Sequence, residues 1–368
     1  MTTRRAVLAA AVGIAAATAG PLTSAAGAAA PAGPTIPRTL ARPAGRLGTS
    51  VRTTQTSFPL SHLAVGWSGA GEPGVRVRTA PGWGDWQAVG ACQGGRDGVD
   101  PRQRWAMLTV PGAVGYEIVH SDPTSSLSVT ELNTVDGPAR ATAAPVSATL
   151  RIGDRPAPAR FYSRAASGAD ESLRFATDGT ENWPPAYFAV QTLTVHHTAG
   201  INADPNPAAT VRAIYYYHAI TQGWGDVGYH LLIDEAGSVY EGRWSGDDPV
   251  PVFGSTLGSD GRPQMVNAAH VGGFNAGNIG ISLLGNFTNQ LPTPAARRAL
   301  TVVLAALSAV EGLDPVGITN YVNPVSGATR TGDTISGHRD WAATECPGNL
   351  FYPQVPSLRQ DVNHLLVS

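Results

Sequence analysis

Two hydrophobic rhythms divide this chain. Between His62 and Val135, short runs alternate apolar and polar positions, as in "HLAVGWSG", "GVRVRTA", "DWQAVGA", "WAMLTVPG", "YEIVHSD" and "SLSVTELNTV". Each is bounded by Gly, Pro, Asp or Ser, which is how half-buried strands joined by tight turns read. They predict a small all-β, sandwich-like unit over 56–137.

Further along, strand and helix patterns alternate. "FAVQTLTVHH", "HLLIDEAGSVYEGR", with Gly237 in its turn, and "NIGISLLGNF" read as strands. "NPAATVRAIYYYHAITQ" places Val211, Ile214, Tyr215 and His218 at helical spacing. "TPAARRALTVVLAALSAVEG" opens on a Thr cap with Pro at the first helical position and stops at Gly312, and "PSLRQDVNHLLV" predicts a last helix. The expectation is an α/β domain over 161–368, a central mixed β-sheet flanked by helices, with ligands at strand ends. The Pro-, Ala- and Gly-rich stretches 31–55 and 138–160 read as linkers.

The first 30 residues stand apart. "MTTRRAVLAAAVGIAAATAG" joins Arg4 and Arg5 to an apolar run, and "TSAAGAAAPAG" supplies small residues suited to cleavage. This predicts a twin-arginine secretion signal and a chain that is extracellular or held at the cell wall. No later apolar stretch approaches the roughly 20 residues a bilayer span needs, so no membrane span is expected after signal cleavage.

Composition narrows the chemistry. With 42% hydrophobic and 14% charged residues the chain is globular, and the net charge of -2 gives no basic field for a nucleic acid. All 25 basic residues are arginine, which excludes Schiff-base, phosphate-loop and general-base lysines. The lack of lysine and the abundance of Ala, Gly and Arg suit a high-GC bacterium. "VGWSGAG" is not a nucleophile elbow, because Ala70 stands where the final Gly belongs.

Candidate chemistry concentrates on histidine and cysteine. His196 closes "TLTVHHTAG", His338 lies in "TISGHRDW", and Cys346 follows shortly after in "ATECPG". Two neutral imidazoles and a thiolate suit zinc with one open position. A strand-end histidine, a loop histidine and a buried cysteine explain the same residues equally well. The two cysteines, Cys92 and Cys346, leave open a bridge between segments, two buried thiols or a metal thiolate.

Four blocks in order, "VHHTAG", "GWGDVGYHLLIDEAGSVYEGR", "AAHVGGFNAGNIGISLLGNF" and "ISGHRDWAATECPG", resemble the peptidoglycan recognition proteins and the zinc-dependent N-acetylmuramoyl-L-alanine amidases of the phage-lysozyme type. The resemblance spans about 161–368 and leaves the β unit unassigned. It implies one Zn2+ per chain on His196, His338 and Cys346, with Tyr229 as the catalytic tyrosine. Thr344 stands where some members carry Lys and others Thr, so it can donate a hydrogen bond but no charge. His197, on the opposite face of the strand, is expected to pack or to line the groove.

His270 and Arg243 match blocks near the groove and are candidate substrate-binding residues or structural loop contacts, and Trp224 suits a carbohydrate face as a third candidate or simply anchors its loop. Ser167 stands where the family often has Trp. The implied activity is hydrolysis of the amide between the lactyl group of N-acetylmuramic acid and L-alanine, on peptidoglycan or muropeptides, by a monomer. The alternative is a non-catalytic peptidoglycan receptor, against which Cys346 argues, since such relatives typically lack the cysteine. The β unit's Trp83, Trp86 and Trp105 fit either a wall-binding surface or a core.

Overall fold

The computed structural model describes residues 35–47, 50–69, 71–90, 95–97, 103–122, 124–141, 148–152, 155–247 and 251–368. Arg4, Arg5 and Cys92 lie outside the described residues.

The all-β unit is a seven-stranded antiparallel sheet. Its path runs Leu40–Leu47, Leu127–Asn133, Arg52–Trp67, Arg104–Val119, Gly74–Thr79, Gly82–Trp83, with Gln87–Ala88 also on Gly74–Thr79. Two sixteen-residue strands carry it. "WAMLTVPG" and "YEIVHSD", read as separate strands from their Pro and Gly, belong to one continuous strand. The register of the long pair shifts between Gln55 and His62, as bulges allow.

Alternation then sends successive side chains to opposite faces. Leu63, Val65, Trp67 and Ala106 enter the unit's own core. Ala64, Trp105 and Met107 leave on the other face and pack against Val211, Ile214 and Tyr217 of the second domain. Both faces are buried, at roughly 1.5–3 kcal/mol per large apolar side chain. Three polar ties reinforce this seam. His62 Nε2 bonds Thr210 Oγ1 at 2.8 Å, Thr134 Oγ1 donates to the carbonyl of Ala209 at 2.9 Å, and Arg212 donates to the carbonyl of Thr134 at 2.8 Å.

The second domain has a seven-stranded mixed sheet ordered Ala148–Ile152, Arg155–Tyr162, Val239–Glu241, Leu231–Ile233, Asn278–Leu283, Thr192–His197, Ile335–Gly337. The last three strands and Leu231–Ile233 are mutually parallel, so their carboxyl ends share one edge. The helix Pro294–Glu311, capped by Thr293 and stopped by Gly312 in the left-handed conformation, buries Leu300, Val303 and Leu304 against Leu193, Ile279 and Ile281. Val355–Val367 adds Leu358 and Val362 to the same core. Pro207–Tyr216, capped by Asn206, continues into a π-helical turn over Tyr217–Thr221 and lies between sheet and β unit.

The linker expectations need correction. The stretch 31–55 holds the strands Thr35–Pro37 and Leu40–Leu47 and the start of a third. The stretch 138–160 holds Ala139–Ala141, which pairs with Thr35–Pro37, and two strands of the second domain's sheet. That domain therefore begins before 161. The prolines that hid these strands sit where a missing N–H is tolerated. Pro43 is at a register shift on an edge strand, and Pro156 and Pro158 precede the only two residues of their strand that pair on its second side.

Among the described residues no helix is long and apolar enough to cross a membrane.

Candidate metal centre

Parallel register builds the site. Val195 pairs with Gly337, so the next residue on each strand, His196 and His338, leaves the sheet side by side. Their ring centroids are 4.5 Å apart. Cys346 completes the set: Sγ lies 3.7 Å from His196 Nδ1 and accepts the backbone N–H of His197 at 3.3 Å. The three ligand atoms all lie within 4.8 Å of one another, and all three residues are buried.

A hydrogen-bond chain sets which nitrogen of His196 is available. His270 Nε2 faces the carbonyl oxygen of Asn278 at 2.9 Å, and a carbonyl can only accept, so Nε2 carries the proton. His270 Nδ1 is then a lone pair, and His196 Nε2, 3.0 Å away, must donate to it. That leaves the Nδ1 lone pair of His196 facing the Cys346 sulfur. His270 reaches this position because Gly280 has no side chain: a Cβ there would meet the imidazole at 2.5 Å. His338 Nδ1 is buried with no hydrogen-bond partner among the described residues.

Burial keeps these rings neutral. It pushes His338 down to about 3, with a further contribution from His197. The same desolvation, followed by the neighbouring imidazoles, holds His196 and His270 well below the usual histidine range. Two unprotonated nitrogens, one of them orphaned, and a thiol converging at the ends of parallel strands fit a zinc ion.

The flanking residues sort by what they touch. His197 turns to the other face, where Nδ1 accepts the N–H of Phe287 at 3.2 Å, and it borders a cavity of about 380 Å³. Tyr229 is buried, its ring 5.3 Å from that of His196. Thr344 is half-buried on the same cavity as His197, and its hydroxyl accepts the N–H of Cys346 at 3.2 Å, leaving its own proton to donate. The three candidate substrate contacts are all buried, each held by contacts within the protein. His270 is fully buried and spends both nitrogens on His196 and Asn278. Trp224 is buried against Trp183 and Ala269, with its ring on His218 at 4.6 Å. Arg243 is fully buried and donates to Asp226 at 2.8 Å and to the carbonyls of Trp183 and Asn267.

Arg243 belongs to an ion cluster beneath the site. Asp226 accepts from Arg243, from Arg164 at 2.9 Å and from the N–H groups of Val227 and Trp244. Burial alone would raise its carboxyl, but the two guanidinium groups outweigh that and hold it below the usual carboxylate range.

Other contributors were not singled out from the sequence. Asn275 Oδ1 accepts the N–H groups of His270 and Val271, each at 2.8 Å, and so sets the backbone from which the His270 ring projects. Its own amide donates to Asp97 and to the carbonyl of Gly95, both from the β unit. His218 meets Trp105 edge-on and Trp224 at a tilt, and accepts the N–H of Gly228 on Nδ1. Asn275 lies inside the recognised block "AAHVGGFNAGNIGISLLGNF", which was its only signal, and nothing local pointed to Asp97.

The α/β domain's parallel strands thus end on a buried cluster of two histidines and a cysteine that could hold a metal ion. The family described as N-acetylmuramoyl-L-alanine amidase matches residues 186–349. The bovine peptidoglycan recognition protein 1 is 34% identical over 166 residues, covering 44% of this chain and 69% of the relative. The human N-acetylmuramoyl-L-alanine amidase is 32% identical over 168 residues, 44% of this chain and 23% of its own length, so the chain spans under a quarter of that relative. The solved structure of Drosophila peptidoglycan recognition protein SA is 21% identical, covers 54% of this chain and 90% of its own, and has a TM-score of 0.38. The chain belongs to the family of peptidoglycan recognition proteins and N-acetylmuramoyl-L-alanine amidases.

Proposed function

We propose that this chain is an exported, zinc-dependent N-acetylmuramoyl-L-alanine amidase that acts as a monomer on peptidoglycan or muropeptides. The carrying observation is the convergence of three donors: the His270 bond turns the Nδ1 lone pair of His196 toward Cys346, and the ligand atoms of His196, His338 and Cys346 all lie within 4.8 Å of one another.

A zinc ion on His196, His338 and Cys346 would supply a Lewis acid and a lowered pKa for bound water. The chain's own residues do the rest. Thr344 presents a hydroxyl proton to the cavity, where it can donate to the oxygen that gains charge as the lactyl carbonyl is attacked. The phenol of Tyr229 is a second, uncharged donor beside the centre. One water is consumed: its oxygen bonds the lactyl carbonyl carbon, the C–N bond breaks, and its proton ends on the departing alanine nitrogen. The carbonyl of Asn278, bonded to His270, which is bonded in turn to His196, keeps His196 in one tautomer.

The test is zinc content together with release of alanine amino termini from purified peptidoglycan, comparing the parent with Cys346→Ser. Stoichiometric zinc and amine release in the parent, with both strongly reduced in the variant, support the amidase. Peptidoglycan binding with neither zinc nor amine release, even after zinc is added, would establish the receptor instead.

A further inference from the structure

We propose that the β unit is a positioning element of the metal centre: its segment 95–97 holds the loop 270–278, which carries His270, so that docking of the β unit and affinity for the metal are coupled. The coupling takes the identity of the metal from the amidase reading, and its route from hydrogen bonds that stand without that reading.

Each residue of the segment touches the second domain. The carbonyl of Gly95 accepts from Asn275 Nδ2 at 3.0 Å, and Asp97 Oδ1 accepts from the same nitrogen at 2.6 Å and from the N–H of Gly273 at 2.7 Å. Between them the Arg96 guanidinium lies 4.7 Å from the ring centroid of Trp183, the ring that Arg243 also approaches, at 4.1 Å.

Asn275 is the joint. It is fully buried, so each of its polar atoms needs a partner. Oδ1 faces two backbone N–H groups, those of His270 and Val271, while Nδ2 faces the two β-unit oxygens. N–H groups only donate, and a carbonyl and a carboxylate only accept, so the amide has one orientation. Its acceptor is used inside the loop and its donors on the other domain. With the segment withdrawn, a buried NH2 group loses both partners, and Asn275 can reach water only by releasing the N–H groups of His270 and Val271.

That loop bears on the centre at two points. It carries the His270 ring, whose Nδ1 accepts from His196 Nε2 at 3.0 Å, and the Asn278 carbonyl that fixes the proton on His270 Nε2. A shift of the loop therefore moves the acceptor that turns the Nδ1 lone pair of His196 toward Cys346. Linkage makes the effect reciprocal: what the segment adds to metal affinity, the metal adds to docking of the segment. Other seam contacts, such as Thr134 Oγ1 on the carbonyl of Ala209, join the domains without touching this loop.

The experiment uses full-length protein, with zinc affinity read by chelator competition and folding checked by circular dichroism. Both bonds to Asp97 end on one oxygen, Oδ1, which Asn keeps and Ala lacks. Asp97→Ala should weaken zinc about fivefold. Asp97→Asn should stay within about twofold of the parent, and so should Thr134→Val, which loosens the seam elsewhere. No loss in Asp97→Ala, or an equal loss in Thr134→Val, would overturn the coupling. If the parent binds no zinc, the metal reading fails, and amide hydrogen exchange on the metal-free proteins still decides the route. The N–H groups of His270 and Val271 should then exchange about fivefold faster in Asp97→Ala than in the parent or Thr134→Val; unchanged exchange at both would overturn the route as well.

Discussion

The metal centre and the Arg164–Asp226–Arg243 cluster are both dense, buried and polar, and both come from the blocks that carry the family resemblance. They differ in how far the protein satisfies its own groups. Asp226 accepts two guanidinium groups and two backbone N–H groups, and Arg243 fills its remaining donors with carbonyls. Nothing is left over for a ligand. At the candidate metal centre the donors turn toward one another: His196 Nδ1 meets the Cys346 sulfur at 3.7 Å, and His338 Nδ1 has no partner among the described residues. Unpaired buried atoms also occur away from this centre, His120 Nε2 among the described residues for one, so it is the convergence of three donor atoms within 4.8 Å that separates the candidate centre from the scaffold.

The contrast breaks most sharply if Cys346→Ser costs stability instead of activity. The expected result is loss of several kcal/mol of transition-state stabilisation, on the order of a thousandfold or more in kcat/KM, with the chelated protein's urea midpoint nearly unchanged. Asp226→Asn should do the reverse. Leaving Arg164 and Arg243 buried against a neutral amide should cost about 3–5 kcal/mol in chemical denaturation.

The same variant tests the sign of a pH effect. Because the folded carboxyl lies below its unfolded value of about 3.9, its contribution is present above that value and is lost as pH falls through the folded pKa. Asp226→Asn should therefore flatten the acid limb of the stability curve.

His270→Ala lies between the two regions, a fully paired residue acting on an unpaired one. It should weaken zinc about 10–100-fold, read by chelator competition, with a smaller change in fold stability. The smallest effect is expected from Asp97→Ala. Its carboxylate holds Gly273 N–H at 2.7 Å and the Asn275 amide at 2.6 Å, and its loss should cost about 1 kcal/mol in denaturation and shift zinc affinity less than His270→Ala.

Much of the α/β domain was legible because its signals are local. Thr293 and Gly312 bound a helix by capping chemistry, Asn206 and Pro207 start another, and Gly237 turns a hairpin with φ of 81°. The β unit was legible as strands but not in extent, since Pro43 and the Pro111–Gly112 pair look like breaks where the chain runs on as strand. Trp224, Arg243 and His270 fitted both groove contacts and structural supports from the sequence, and their burial is not encoded in any motif.

By itself the sequence determined the donor types and their period: adjacent histidines in a strand point to opposite faces, and a run of β-branched residues puts them at a strand end. Tertiary structure decided which lone pair is free, because that depends on His270 reaching across Gly280 and on Val195 pairing with Gly337. It also decided that the β unit borders the centre, through contacts between residues far apart in the chain. Local periodicity is set by backbone geometry and can be read in one dimension. Pairing across long loops is a cooperative choice among alternatives, made only when the whole core is buried.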